Sequence, residues 1–178
     1  MKKALLIIVP LFALSSCIVS TATKVVTTAG KVAVGAVKAT VNGIDWAITK
    51  ANGKIDEDRL NGKWKIVGLF KGNFDEFSSK DNPNNYVNCI EGNELYEFKV
   101  KKEKFIHYHC GSTTPIEYKY KFSFEKNPET KTKENMITYG PSYFTVLDVT
   151  KNTLALEGYF VEEYGNKVKS ICLLEKVK

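Results

Sequence analysis

The chain has only two histidines, His107 and His109, and four cysteines, and these are its best-suited residues for holding a metal or forming a covalent bond. The histidines stand two apart, so on a strand both point to one side, and that spacing suits a metal ion. A metal site also needs a third or fourth donor and groups that orient the ligands, and position along the chain fixes no acidic or cysteine partner for them. The opposing series, Ile106, Tyr108 and Cys110, is the more apolar one. The histidines are therefore expected to face water as a plain exposed pair, although Phe105 stands on their side. No metal and no cofactor is expected. Nucleophilic catalysis finds less support: no Gly-x-Ser-x-Gly elbow, phosphate loop, His-Glu-x-x-His or Cys-His-Asn set occurs. Asp75, Glu76 and Asp148 are scattered carboxylates that read as solvated charge, so the chain is not expected to be an enzyme. Nucleic acid is disfavoured as a partner too. The 26 basic residues against 20 acidic ones are dispersed lysines with Arg59 the only arginine, which leaves out the forked donors that phosphates and base edges select.

Cys17 has a different setting. Lys2 and Lys3 precede an apolar run from Ala4 to Leu14 that Pro10 interrupts, too short for the roughly 20 apolar residues of a spanning helix. At its end Leu14-Ser15-Ser16-Cys17 resembles the lipobox cut by the bacterial lipoprotein signal peptidase. The resemblance implies that residues 1–16 are a removed signal peptide and that Cys17 becomes the acylated first residue, held on a membrane by its lipid. Several acyl chains, at about 0.8 kcal/mol per buried methylene, anchor stably where one is marginal. Residue 18 is isoleucine rather than the aspartate that would resemble an inner-membrane retention signal, so in a cell with two membranes the outer one is the implied address. Export would leave Cys89, Cys110 and Cys172 in an oxidising compartment, enough for one bridge and one leftover thiol.

Residues 17–58 read as an acylated anchor and helical linker. Lys24, Lys31, Lys38 and Asp45 recur every seven residues, and Val34, Val37, Val41, Ile44, Ile48 and Ala51 step by three and four along one helical stripe. Valine, threonine and Gly30, Gly35 and Gly43 weaken an isolated helix, glycine by about 1 kcal/mol, so this amphipathic helical tether needs a surface to lie on. The surfaces on offer are lipid headgroups, a second copy, or the domain downstream; the alternative is a loosely helical leash.

From residue 59 to 178 the period changes to two, and an all-β domain is expected. Ile116, Tyr118, Tyr120, Phe122 and Phe124 alternate with Glu117, Lys119, Lys121, Ser123 and Glu125, the pattern of a strand wet on one face. Further strands are expected at Trp64 to Phe70, Leu95 to Val100, Lys104 to Cys110, Met136 to Tyr139, Tyr143 to Val149, Leu154 to Val161 and Val168 to Glu175. Short turn-rich links imply antiparallel neighbours. About eight strands fit one closed antiparallel barrel without exposed edges, with a sandwich as the alternative.

Three stretches carry a family resemblance. Leu60-Asn61-Gly62-Lys63-Trp64-Lys65-Ile66 looks like the Gly-x-Trp opening of lipocalins and small bacterial lipocalin-like domains. The stretch from Cys89 through Leu95-Tyr96-Glu97-Phe98 to Cys110 is similar to their two-cysteine hairpin, and Phe144 to Leu156 resembles one of their late strand pairs. The family's remaining signature blocks are absent. The resemblance implies a lipocalin-like barrel with Trp64 plugging its closed end and a disulfide between Cys89 and Cys110, which paired strands would bring together, with Cys172 a buried free thiol. If the barrel is hollow, Trp64, Tyr118, Tyr120, Phe122 and Phe124 would line a pocket for a fatty or aromatic molecule. Two functions remain: an envelope lipoprotein that holds a small apolar ligand, or a surface lipoprotein that binds another envelope protein.

Overall fold

The computed structural model describes residues 34–41, 44–79, 89 and 93–178; the expected leader 1–16 and Cys17 lie outside the described residues. Eight strands form a closed antiparallel barrel: β3 (Gly62–Lys71), β4 (Leu95–Lys99), β5 (Lys104–Tyr108), β6 (Ile116–Lys126), β7 (Lys133–Tyr139), β8 (Ser142–Val149), β9 (Thr153–Glu163) and β10 (Asn166–Lys176). Each strand pairs with the next, and β10 returns to β3 to close the ring. This is the barrel that the alternating pattern predicts. Closure leaves no free edge.

The barrel wall has two apolar faces. Inside lie Trp64, Phe98, Phe105, Ile137, Leu154, Leu156, Cys172 and Leu174, all buried. Outside, on β3, β8, β9 and β10, Val67, Phe70, Leu147, Ala155, Ile171 and Leu173 are buried as well. The run Ile171-Cys172-Leu173-Leu174 is apolar without alternation because both of its faces are covered.

The cover corrects the expected helical tether. Residues 34–41 and 44–50 form an antiparallel strand pair, β1 (Val34–Val41) and β2 (Ile44–Lys50), with Val41 opposite Ile44 and Val37 opposite Ile48. Its Val41, Trp46 and Ile48 pack on the outer apolar face of the barrel. Branched side chains prefer the pleated surface, and the glycines weaken a helix further. Once the domain downstream supplies a flat apolar wall, a hairpin lies on it better than a helix. Gly68 makes the close approach: a Cβ there would stand 2.9 Å from the Phe70 ring and 3.3 Å from Val41. The short helix α1 (Phe74–Ser78) joins the same cluster through Phe74 and Phe77. It opens with a capping box in which Asn73 accepts from the Glu76 N–H and Glu76 accepts from the Asn73 N–H.

One end of the barrel is sealed. The 3-10 turn Glu57–Leu60 lies across it, and the Trp64 indole N–H donates to the Leu60 carbonyl at 2.7 Å. Gly62 adopts φ +121°, and a Cβ there would meet Lys176, whose ammonium sits over the Trp64 ring at 4.7 Å. The Gly-x-Trp motif is therefore a packing requirement at the closure of β10 on β3. Tyr120 donates to Glu57, and Asn135 both accepts from the Ile55 N–H and donates to the Gly53 carbonyl.

Candidate functional site

The opposite end, the mouth, is where β4 begins and β5 finishes. Here the β4–β5 register decides which side chains share a face. Tyr96 stands opposite His107 and Phe98 opposite Phe105, and cross-strand partners point the same way. Since Tyr96, Phe98 and Phe105 are buried inside the barrel, His107 and, two residues on, His109 turn inward with them. This corrects the expectation of a water-facing pair: the side chain of His107 is 15% exposed. The competing series, Ile106 and Tyr108, faces the outer wall instead, where Tyr108 donates to Glu97.

Register also delivers a third polar group. Glu94 directly precedes β4, and its Oε1 lies 2.6 Å from His107 Nε2. The His107 and His109 rings are 3.6 Å apart between centroids. Donor atoms of Glu94, His107 and His109 all fall within 4.8 Å of one another. Burial depresses the His109 pKa first and the neighbouring His107 ring adds to it, against a smaller opposing pull from Glu94, so the ring is held toward its neutral form. Its Nε2 is buried and has no hydrogen-bond partner among the described residues.

A covalent clamp frames the cluster. Cys89 and Cys110 are bonded, so the loop they close contains the β4–β5 hairpin with Glu94, His107 and His109. The turn at the far end of that hairpin is a 3-10 turn, Val100–Lys102, followed by Glu103 at φ 50°. Cys172 is a buried free thiol, and burial pushes its pKa well above the ordinary thiol range.

Aromatic rings line the interior beneath the histidines. Phe105 packs edge-on to Tyr96 at 5.1 Å, and Tyr139 meets Phe105 at 5.1 Å and Phe144 at 4.7 Å. Phe144 stacks on Phe160 at 4.9 Å, and Tyr118 reaches Phe105 at 5.8 Å. Tyr118, Tyr139 and Phe160 are only partly buried. Burial first, and then the neighbouring Tyr118, raises the Tyr139 pKa, so its phenol stays protonated.

Of the pocket residues expected from sequence, only Tyr118 joins this group of rings. Trp64 and Tyr120 fill the sealed half through the hydrogen bonds described above, while Phe122 and Phe124 sit farther along β6, on the stretch that pairs with β7 as far as Lys126 and Lys133. Tyr96, Phe105, Tyr139, Phe144 and Phe160 take their place. Asp75 and Glu76 belong to α1 and its cap. Asp148 has its pKa raised by burial, against opposing backbone hydrogen bonds from Val149 and Thr49. A recess at the sealed end, about 360 Å³, is lined by Asp58, Asn61 and Lys99 to Lys102 and carries neither histidine nor aromatic ring.

Glu94 is the residue that reading along the chain misses. Its signal is the hairpin register, which sets it across from the histidines, and that register follows from the turn at Lys101-Lys102-Glu103. Compared with known proteins, the chain matches no family model, no curated protein and no solved structure.

Proposed function

We propose that this chain is an envelope lipoprotein whose barrel mouth takes up one small apolar or aromatic molecule. The observation that carries the binding half is the group of aromatic side chains, Tyr118, Tyr139 and Phe160 only partly buried, gathered on Phe105 and Phe144 inside a closed barrel. Partly buried rings at a barrel mouth offer apolar area that a ligand can cover, with a few polar groups beside it to fix orientation. The lipoprotein half rests on the Leu14-Ser15-Ser16-Cys17 resemblance and agrees with the Cys89–Cys110 bond, since such bonds persist outside the reducing cytoplasm.

Native mass spectrometry of protein purified without added lipid tests the binding half, together with titration of a fluorescent apolar probe. A bound small molecule, or probe binding weakened by Tyr118→Ala and Phe160→Ala, supports the reading. Absence of both overturns it, and a protein recovered by crosslinking in their place favours the second reading, a surface lipoprotein that binds an envelope protein. Labelling with radioactive palmitate tests the anchor: label should enter the wild type and not Cys17→Ser.

A further inference from the structure

Glu94, His107 and His109 are donors of the types that a divalent transition metal selects, and the hairpin register sets them on one face at the mouth. Two imidazoles and one carboxylate are the three-donor set of open zinc sites, where a remaining position is left to water or a bound molecule. We propose that these three residues bind one divalent ion of the zinc class. A tetrahedral ion of that size holds its donors about 3.3 Å apart. The Glu94–His107 pair at 2.6 Å is closer than that, and every donor pair in the set lies within 4.8 Å. Glu94 at 30% exposure and His107 at 15% are only partly buried, which leaves their side chains room to rotate to that spacing.

Two further observations point to a ligand. Among the described residues the buried His109 Nε2 has no partner, although buried polar atoms are satisfied as a rule and each exception calls for an explanation. A bound ion satisfies it. The His107 ring is also held in place, with Tyr96 edge-on at 4.7 Å and Phe105 stacked at 6.3 Å, the kind of support that orients a ligating imidazole. The Cys89–Cys110 bond closes a loop that contains all three donors, so the clamp preorganises the set. Coordination through His107 Nε2 replaces its hydrogen bond to Glu94, the ring binding as a neutral imidazole with its proton on Nδ1.

The inference is independent of the apolar ligand and is read with the metal alone. Full chain purified without a histidine tag and stripped with a chelator is titrated with Zn²⁺ against a chromophoric competitor. One equivalent should bind. Glu94→Gln and His109→Ala should each weaken binding by about 100-fold, the upper end of what losing even a supporting group costs a metal site. Cys89→Ser with Cys110→Ser should weaken it about tenfold, the lower end of that range. Because alanine in place of a packed imidazole can disturb the fold, Glu94→Gln serves as the near-isosteric variant: Zn²⁺ should raise the Tm of the wild type by linkage and leave that of Glu94→Gln unmoved. Absence of binding in the wild type, or binding of wild-type strength in both Glu94→Gln and His109→Ala, overturns the proposal.

Discussion

The two ends of the barrel are built on opposite principles. At the sealed end the polar groups named above have partners: the Trp64 indole on Leu60, Tyr120 on Glu57, and Asn135 bridging Gly53 and Ile55. At the mouth several rings stay partly buried, a buried imidazole nitrogen has no partner among the described residues, and the nearest hairpin is held by a covalent bond. One end contributes stability by satisfying its groups. The other holds rings that are only partly buried and an imidazole nitrogen without a partner among the described residues.

The sharpest way to break this contrast is at the plug. Trp64 is fully buried, so Trp64→Ala should cost about 3–5 kcal/mol, read as a lower urea midpoint, with unfolding of the whole chain as the extreme result. A cost below 1 kcal/mol would mean that the sealed end does not carry the fold. Next comes the clamp. Replacing both Cys89 and Cys110 by serine should cost about 3 kcal/mol in the chain-entropy account of a loop with 21 residues of separation. An unchanged midpoint would leave the mouth held by packing alone.

Gly68→Ala probes the wall against which the hairpin lies. The added methyl meets the buried Phe70 ring and Val41, and overpacking of this kind costs about 1–3 kcal/mol. A smaller effect is expected from acid. Glu134 is 3% exposed and accepts from Lys50 at 2.6 Å and from Asn127 and Thr145. Burial raises its pKa, but the hydrogen bonds from Lys50 and Asn127 outweigh that and hold it below the ordinary carboxylate value. A carboxyl depressed in the folded state stabilises above its unfolded pKa of about 4.3 and loses that contribution as pH falls through the lower folded value. Urea midpoints between pH 6 and pH 3 should therefore decline in the wild type more steeply than in Glu134→Gln. The smallest effect on stability should come from the mouth itself: Tyr118→Ala should cost about 1 kcal/mol while weakening apolar-probe binding. A large loss of stability there would erase the division between the two ends.

The barrel was legible because period two is hard to mistake over ten residues: Ile116 to Glu125 alternates without a break, and the strand belongs to β6 as expected. The hairpin at 34–50 was not legible by periodicity, because valines spaced by three and four satisfy a helical stripe as readily as they occupy a strand. Two other signals were present. One is Asn42-Gly43 between the paired residues Val41 and Ile44, a dipeptide that favours tight hairpins. The other is the unbroken apolar run at Ile171 to Leu174, which shows that the outer wall needs a cover. The histidines failed for a different reason. Which side of β5 faces in depends on its neighbour, and Phe105 on their side outweighed Ile106 once paired with Phe98.

The hairpin also settles a direction. Val34 pairs with Lys50, Lys50 reaches Glu134 at the start of β7, and the Ala51 N–H donates to the Leu147 carbonyl, so the chain comes onto the barrel at the pole that Trp64 seals. The last strand departs at that same pole, where the Val177 N–H donates to the Lys63 carbonyl. Both ends of the described barrel unit, the start of β1 and the end of β10, therefore leave from one pole, and the histidine-bearing rim is the pole from which neither departs.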